Sequence, residues 1–163
     1  MLHLVATTLA LAGATAGFPP PPPVPDAVVQ AVQASCLDYL DGQLSGDVAR
    51  VERILHPDLA KRRVLPASDM ETLALRRMGR DELVALTRQG VLVAPPHTWK
   101  RQCTVLDAVA DIAVVRAETP IFVDYLQLGR FQGRWVVVNA LWHVRPPEER
   151  KALEALPATP SGR

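Results

Sequence analysis

Near Thr98 the spacing of apolar residues changes from three-and-four to two, which limits the chain to folds in which helices come first and a sheet follows. Upstream, Val29, Val32, Cys36, Tyr39 and Leu40 recur at helical spacing, predicting a helix capped by Asp26 and weakened at Gly42. A second short helix is predicted after Ser45-Gly46-Asp47, where Ser45 or Asp47 caps and Val48, Val51, Ile54 and Leu55 form the apolar stripe. It ends at His56-Pro57, because the residue before a proline is pushed out of the helical region, and His56 is placed to cap the last carbonyls. A third is predicted from Asp81 to about Arg88, with Leu83, Val84 and Leu86 inward and Gly90 as its stop. Residues 61–78 show no regular pattern. Downstream, Arg101–Val109 and Ile112–Glu118 alternate as a hairpin around Ala110-Asp111, and Phe122–His143 as a second around Gln132-Gly133. Helices followed by antiparallel strands make the class α+β.

The ends read differently from this middle. Leu4 to Ala12 is a short apolar run and Ala14-Thr15-Ala16 fits a small-x-small cleavage pattern, so residues 1–16 are expected to be a secretory signal, too short to span a bilayer. Residues 17–26 hold a proline run that predicts an extended spacer. The domain is placed at 27–146 and a tail at 147–163, with a helical turn or two before it frays. The expected location is secreted or periplasmic, with no membrane span once the signal is cut. A net charge of +1 with mixed signs offers no phosphate-neutralising surface, so nucleic acid is not an expected partner. His3, His56, His97 and His143 lack ligand spacing, and neither a Gly-rich phosphate loop nor a Gly-x-Ser-x-Gly elbow occurs, so no metal or cofactor is expected. Export would permit a Cys36–Cys103 disulfide. A two-residue turn at Ala110-Asp111 puts Leu106, not Cys103, on the inward face with Ala113, Val115 and Ala117, whereas a bulge or longer turn reverses this.

The second hairpin carries an aspartate, an asparagine and a histidine. With Gln132 and Gly133 as the turn, Phe131 faces Arg134, and counting back pairs Leu128 with Val137, Leu126 with Asn139, Asp124 with Leu141 and Phe122 with His143. That register gathers Asp124, Asn139, His143 and Trp135 on one face. Both faces are largely apolar, so helices are expected over the face of Trp135 and a second copy of the chain over Val136, Val138 and Trp142. A carboxylate buried on such a strand costs several kcal/mol unless paired, and Tyr39, His143 or Lys61 is the expected partner.

"YLDGQLSGDVARVERILHPDLAKR" followed by "VDYLQLGRFQGRWVVVNALW" resembles the putative lumazine-binding family of the nuclear-transport-factor-2-like superfamily, which includes SnoaL-like cyclases and ketosteroid isomerase. The resemblance runs from about Val28 to Pro146. It implies a cone-shaped curved antiparallel sheet wrapped around three N-terminal helices, a pocket at the open end, and dimerisation through the outer face of the sheet. Against the isomerase branch, Tyr39 matches the oxyanion-hole tyrosine by its distance from Gly46-Asp47. Asp124 matches, by its distance from Arg130-Phe131, the aspartate kept neutral by an apolar pocket so that it donates the second hydrogen bond. The isomerase's general base would fall near Lys61 to Arg63, where this chain is basic, so steroid isomerisation is not implied; a nearby cation would leave Asp124 ionised.

The candidate catalytic residues are therefore Asp124, Tyr39 and His143, and the candidate ligand contacts Asn139, Trp135 and Lys61. Each also has a plain structural role open to it, and Lys61-Arg62-Arg63 serves either as a solvated edge or as an attractor of acidic ligands. The expected function is an exported binding or accessory protein with an apolar pocket for a small cyclic or aromatic molecule. The alternatives are a cofactor-independent isomerase, dehydratase or cyclase using Asp124 and Tyr39, and a structural dimer whose pocket is filled.

Overall fold

The computed structural model describes residues 19–66 and 73–158, so the expected signal sequence and the last five residues of the tail lie outside it. Helix α1 spans Asp26–Ser45, with Pro25 as its N-cap and Asp26 already helical. It runs through Gly42 and stops at Gly46, whose φ of 71° turns the chain out of the helix. Gly42 is where α2 crosses α1: a Cβ there would stand 2.7 Å from Val51 Cγ2, so the glycine allows close approach. Helix α2, Val48–Ile54, is capped by Asp47, whose carboxylate accepts from the Arg50 N–H at 2.9 Å. Helix α3, Arg80–Arg88, buries Leu83, Val84 and Thr87.

Strand β1, Leu55–Val64, takes Leu55 from the stripe expected for the second helix and runs into the segment without a regular pattern, which also holds β2 at Leu75–Met78. Strand β1 hides its alternation because Lys61 occupies an inward position beyond Leu59. His56 is the second residue of this strand and does not cap a helix; its Nδ1 accepts from the Asp58 N–H at 3.1 Å and its ring lies 5.1 Å from that of Phe131. The remaining strands are β3 (Gln102–Val109), β4 (Ile112–Glu118), β5 (Phe122–Phe131) and β6 (Arg134–Val144), and α4 follows at Pro147–Glu154. The sheet order is β2-β1-β6-β5-β4-β3. It is curved and mixed, not wholly antiparallel, because β1 runs parallel to β6. The core lies between α1–α3 and the inner face of the sheet, where Tyr39, Leu40 and Val51 meet Val115, Leu126 and Val137.

Two bulges decide which side chains reach that core. In β5–β6 the expected register holds from the turn to Leu128–Val137; Val138 is then skipped, so Gln127 pairs with Asn139, Asp124 with Trp142 and Val123 with His143. One extra residue exchanges the faces beyond it. Trp135 and Val137 point inward, as do Ala140 and Trp142, while Asn139 and His143 turn to the outer face. The common face expected for Asp124, Asn139 and His143 is thus corrected, and Trp142 leaves the expected dimer contact for the interior. In β3–β4 Leu106 is skipped between Val105 and Asp107, leaving Leu106 half exposed and turning Cys103 inward. The bulge alternative is the one adopted, and Cys36 and Cys103 form a disulfide with 6.1 Å between their Cα atoms.

Candidate functional site

Three elements each deliver one polar side chain to the core. Tyr39 comes from the inward stripe of α1, Lys61 from β1, and Asp124 from β5 between inward Phe122 and Leu126. Lys61 Nζ donates to Asp124 Oδ1 at 2.6 Å, to Oδ2 at 2.7 Å and to the Tyr39 hydroxyl oxygen at 2.7 Å. The Tyr39 hydroxyl in turn donates to Asp124 Oδ2 at 2.7 Å. An ammonium has three protons and a phenol one, so the ring of hydrogen bonds uses every donor it contains. Such closure is what makes a buried ion pair tolerable, since desolvation otherwise outweighs the mutual attraction. The ammonium also lies 5.0 Å from the Trp142 ring centroid and 5.5 Å from those of Phe122 and Tyr39, within cation–π range.

Burial pushes the Tyr39 phenol well above its usual range, and the adjacent Asp124 charge raises it further. Burial pulls Lys61 down, against the opposing pull of Asp124. Asp124 accepts three hydrogen bonds and has no donor role, the opposite of the neutral acid that the isomerase resemblance implies. Lys61 is the cation beside it.

Next to this triad lies a cavity of about 210 Å³. Its walls are mainly apolar: Met78 from β2, Leu83 and Leu86 from α3, Leu92 beyond it, Phe122 from β5 and Trp142 from β6. Among the described residues Lys61 is the one charged side chain on the lining, while Tyr39 and Asp124 stand behind it, fully buried. Gln43 and Thr87 also reach the cavity and both donate elsewhere: Thr87 Oγ1 to the Leu83 carbonyl at 2.9 Å, and Gln43 Nε2 to the Tyr39 carbonyl at 2.8 Å.

Of the residues chosen from sequence, the structure therefore unites Tyr39, Lys61 and Asp124 and separates the rest. Trp135 is buried against Arg130 and borders a different cleft, with Arg50 and Gly133. Asn139 donates to Gln127 Oε1 at 3.0 Å on the outer face, and His143 is exposed there. The sequence turns Leu83 and Leu86 of α3 inward, as observed, but marks neither them nor Trp142 as cavity walls. The spacing of Leu83, Leu86 and Thr87 was a usable signal for α3, whereas the bulge concealed Trp142. Among the described residues no group of three or more His, Cys, Asp or Glu is arranged to hold a metal, and no helix is long and apolar enough to cross a membrane.

Comparison with known proteins bears on the same region. The family model described as putative lumazine-binding matches residues 27–143. A nuclear-transport-factor-2-like protein of unknown function from Silicibacter pomeroyi is 19% identical, with a TM-score of 0.62 over 74% of this chain and 98% of its own. One from Methylobacillus flagellatus, also of unknown function, is 19% identical, with a TM-score of 0.57 over 76% and 96%. A ketosteroid isomerase-like protein from Erwinia carotovora is 15% identical, with a TM-score of 0.53 over 73% and 97%. At these identities the likeness establishes the fold alone. No curated protein matches the sequence.

Proposed function

We propose, from the premise that the chain belongs to the putative lumazine-binding family, that it is a small-molecule-binding protein whose cavity takes a neutral cyclic or aromatic molecule. The observation that carries this reading is that Lys61, the one charged group on the lining among the described residues, already spends its three protons on Asp124 and Tyr39. An anionic ligand would have to draw the ammonium away and leave a buried carboxylate unpaired, at a cost of about 3–5 kcal/mol. The walls instead reward apolar area, at about 25 cal/mol per Å² removed from water. Lumazine, a heterocycle with polar groups around its rim, finds few free partners on such walls, so the family's description does not by itself supply the ligand.

Thermal shift with 2-naphthol, 2-naphthoate and lumazine tests the reading. The neutral naphthol should raise Tm, and Leu86→Trp, which fills the cavity, should abolish the rise. A larger rise with naphthoate, or a rise that survives Leu86→Trp, would overturn it.

The same proposal includes export and self-association. Export is supported by the apolar run before Ala16 and by a disulfide of the kind that persists in oxidising compartments. Self-association is supported by the outer face of the sheet, where Tyr125 and Leu141 pair across strands with about half of each exposed, beside Asn139 and Gln127. A Tyr125→Glu variant that sediments as a smaller species than the parent would support that contact, and identical sedimentation would refute it.

A further inference from the structure

We propose that Lys61 is a carbonyl-reactive amine, and that a ketone or aldehyde seated in the cavity condenses with its Nζ to form a Schiff base. The proposal rests on the cavity being a ligand site and adds a chemical class to it. Three features of the arrangement carry it.

The first is access. Among the described residues Lys61 is the only amine on the cavity lining, and its Nζ faces Phe122 and Trp142, the two rings against which a cyclic carbonyl compound would pack. The second is the proton acceptor behind it. Asp124 Oδ1 is 2.6 Å from Nζ, close enough to take the ammonium proton directly, while Tyr39 holds the carboxyl in place from the other side. Transfer gives a neutral amine, which is the nucleophile, and leaves the proton on the carboxyl group, where the later loss of water uses it. Burial weakens the hold of Lys61 on its proton, in keeping with lysines activated by desolvation.

The third is that the product fits the same ring of contacts. The amine lone pair attacks the carbonyl carbon, a C–N bond forms, and the C=O π electrons move to oxygen, which takes a proton from nitrogen to give a carbinolamine. The Asp124 carboxylic acid then protonates the departing hydroxyl; the C–O bond breaks, water leaves, and the nitrogen lone pair completes C=N. The result is a protonated imine beside a carboxylate, the charges that were there at the start, with one water released. No oxidant, reductant or metal is required, and the Asp124 carboxylate is positioned to accept from the remaining N–H.

The chain has three lysines, Lys61, Lys100 and Lys151, so the site of reaction can be assigned without ambiguity. Incubation with 2-naphthaldehyde and sodium cyanoborohydride, followed by peptide mass mapping, should place the reduced adduct on Lys61 at least ten-fold faster than on Lys100 or Lys151. Leu86→Trp keeps the triad but fills the cavity, and should reduce labelling of Lys61 to the level of the other two. Equal labelling of all three lysines, or unchanged labelling in Leu86→Trp, would overturn the proposal. If Lys61 stays unmodified while 2-naphthol still raises Tm, the carbonyl chemistry fails and the binding reading stands; if both fail, the cavity is no ligand site.

Discussion

Asp124 and Trp142 sit directly opposite one another on β5 and β6, a pairing that exists because Val138 is left out of the ladder. The bulge brings the Trp142 ring to within 5.0 Å of the Lys61 ammonium and closes one side of the cavity. Deleting Val138 would remove the bulge while leaving Gln127 opposite Asn139 and Asp124 opposite Trp142, so the same side chains would keep facing the core. We expect the deletion to unfold cooperatively in urea with parental Trp fluorescence; loss of the cooperative transition would show that the curvature of the strand at the bulge is itself required.

Removing either charge of the buried pair should be far worse than removing both. Asp124→Asn is expected to lower unfolding free energy by about 3–5 kcal/mol, while Lys61→Met combined with Asp124→Leu should recover most of the loss. Urea midpoints for the parent, the single variant and the double variant decide this, and a single-variant cost below about 1 kcal/mol would mean that the pair is hydrated in solution.

The phenol of Tyr39 gives a pH signature. Its folded value lies well above the ordinary 10.0, so above that pH the folded state keeps a proton that the unfolded state releases, and stability falls as pH rises. Lys61 works in the opposite sense lower down: its folded value lies below 10.5, so the unfolded state binds more protons as pH approaches 10.5 from below, and stability rises there. Phenolate absorbance from Tyr39 should therefore appear only with alkaline unfolding. Tyr39→Phe should leave the folded-state absorbance unchanged and shrink the unfolding step; a folded-state loss would place the phenol in water.

The disulfide spans 67 residues, and closing a loop of that length stabilises by about 4 kcal/mol in the chain-entropy model. Cys103→Ser with Cys36→Ala should lose about this much in a urea titration. Parent protein denatured without reductant should show no free thiol.

Gly42→Ala sets helix propensity against packing. Alanine would gain about 1 kcal/mol in a free helix, but here its Cβ meets Val51 Cγ2 at 2.7 Å, and overpacking of this kind costs about 1–3 kcal/mol. A net loss that Val51→Ala relieves is the expected result of a double-mutant cycle.

The helices, both hairpins and the pairing of Tyr39 with Asp124 were legible because each is written in local periodicity, in turn chemistry or in the need of a buried carboxylate for partners. The placement of Asn139, His143 and Trp142 was not legible, for a physical reason. Val136, Val137 and Val138 are identical in size and polarity, so nothing in their composition says which one the ladder omits. Strand β1 escaped notice for a related cause: its inward Lys61 looks like one member of a basic run until Asp124, 63 residues later, supplies the countercharge.

The parallel pairing of β1 with β6 also makes the cavity depend on the last strand of the sheet. Lys61 lies beside Ala140, so the cation has no neighbouring strand on that side until nearly the whole domain has been synthesised, whereas Cys36 can meet Cys103 much earlier. A nascent chain halted after Phe131 should already hold the disulfide while its Lys61 remains open to acylation. The cavity is thus complete only with the last strand, which lies between the first two and the remainder of the sheet.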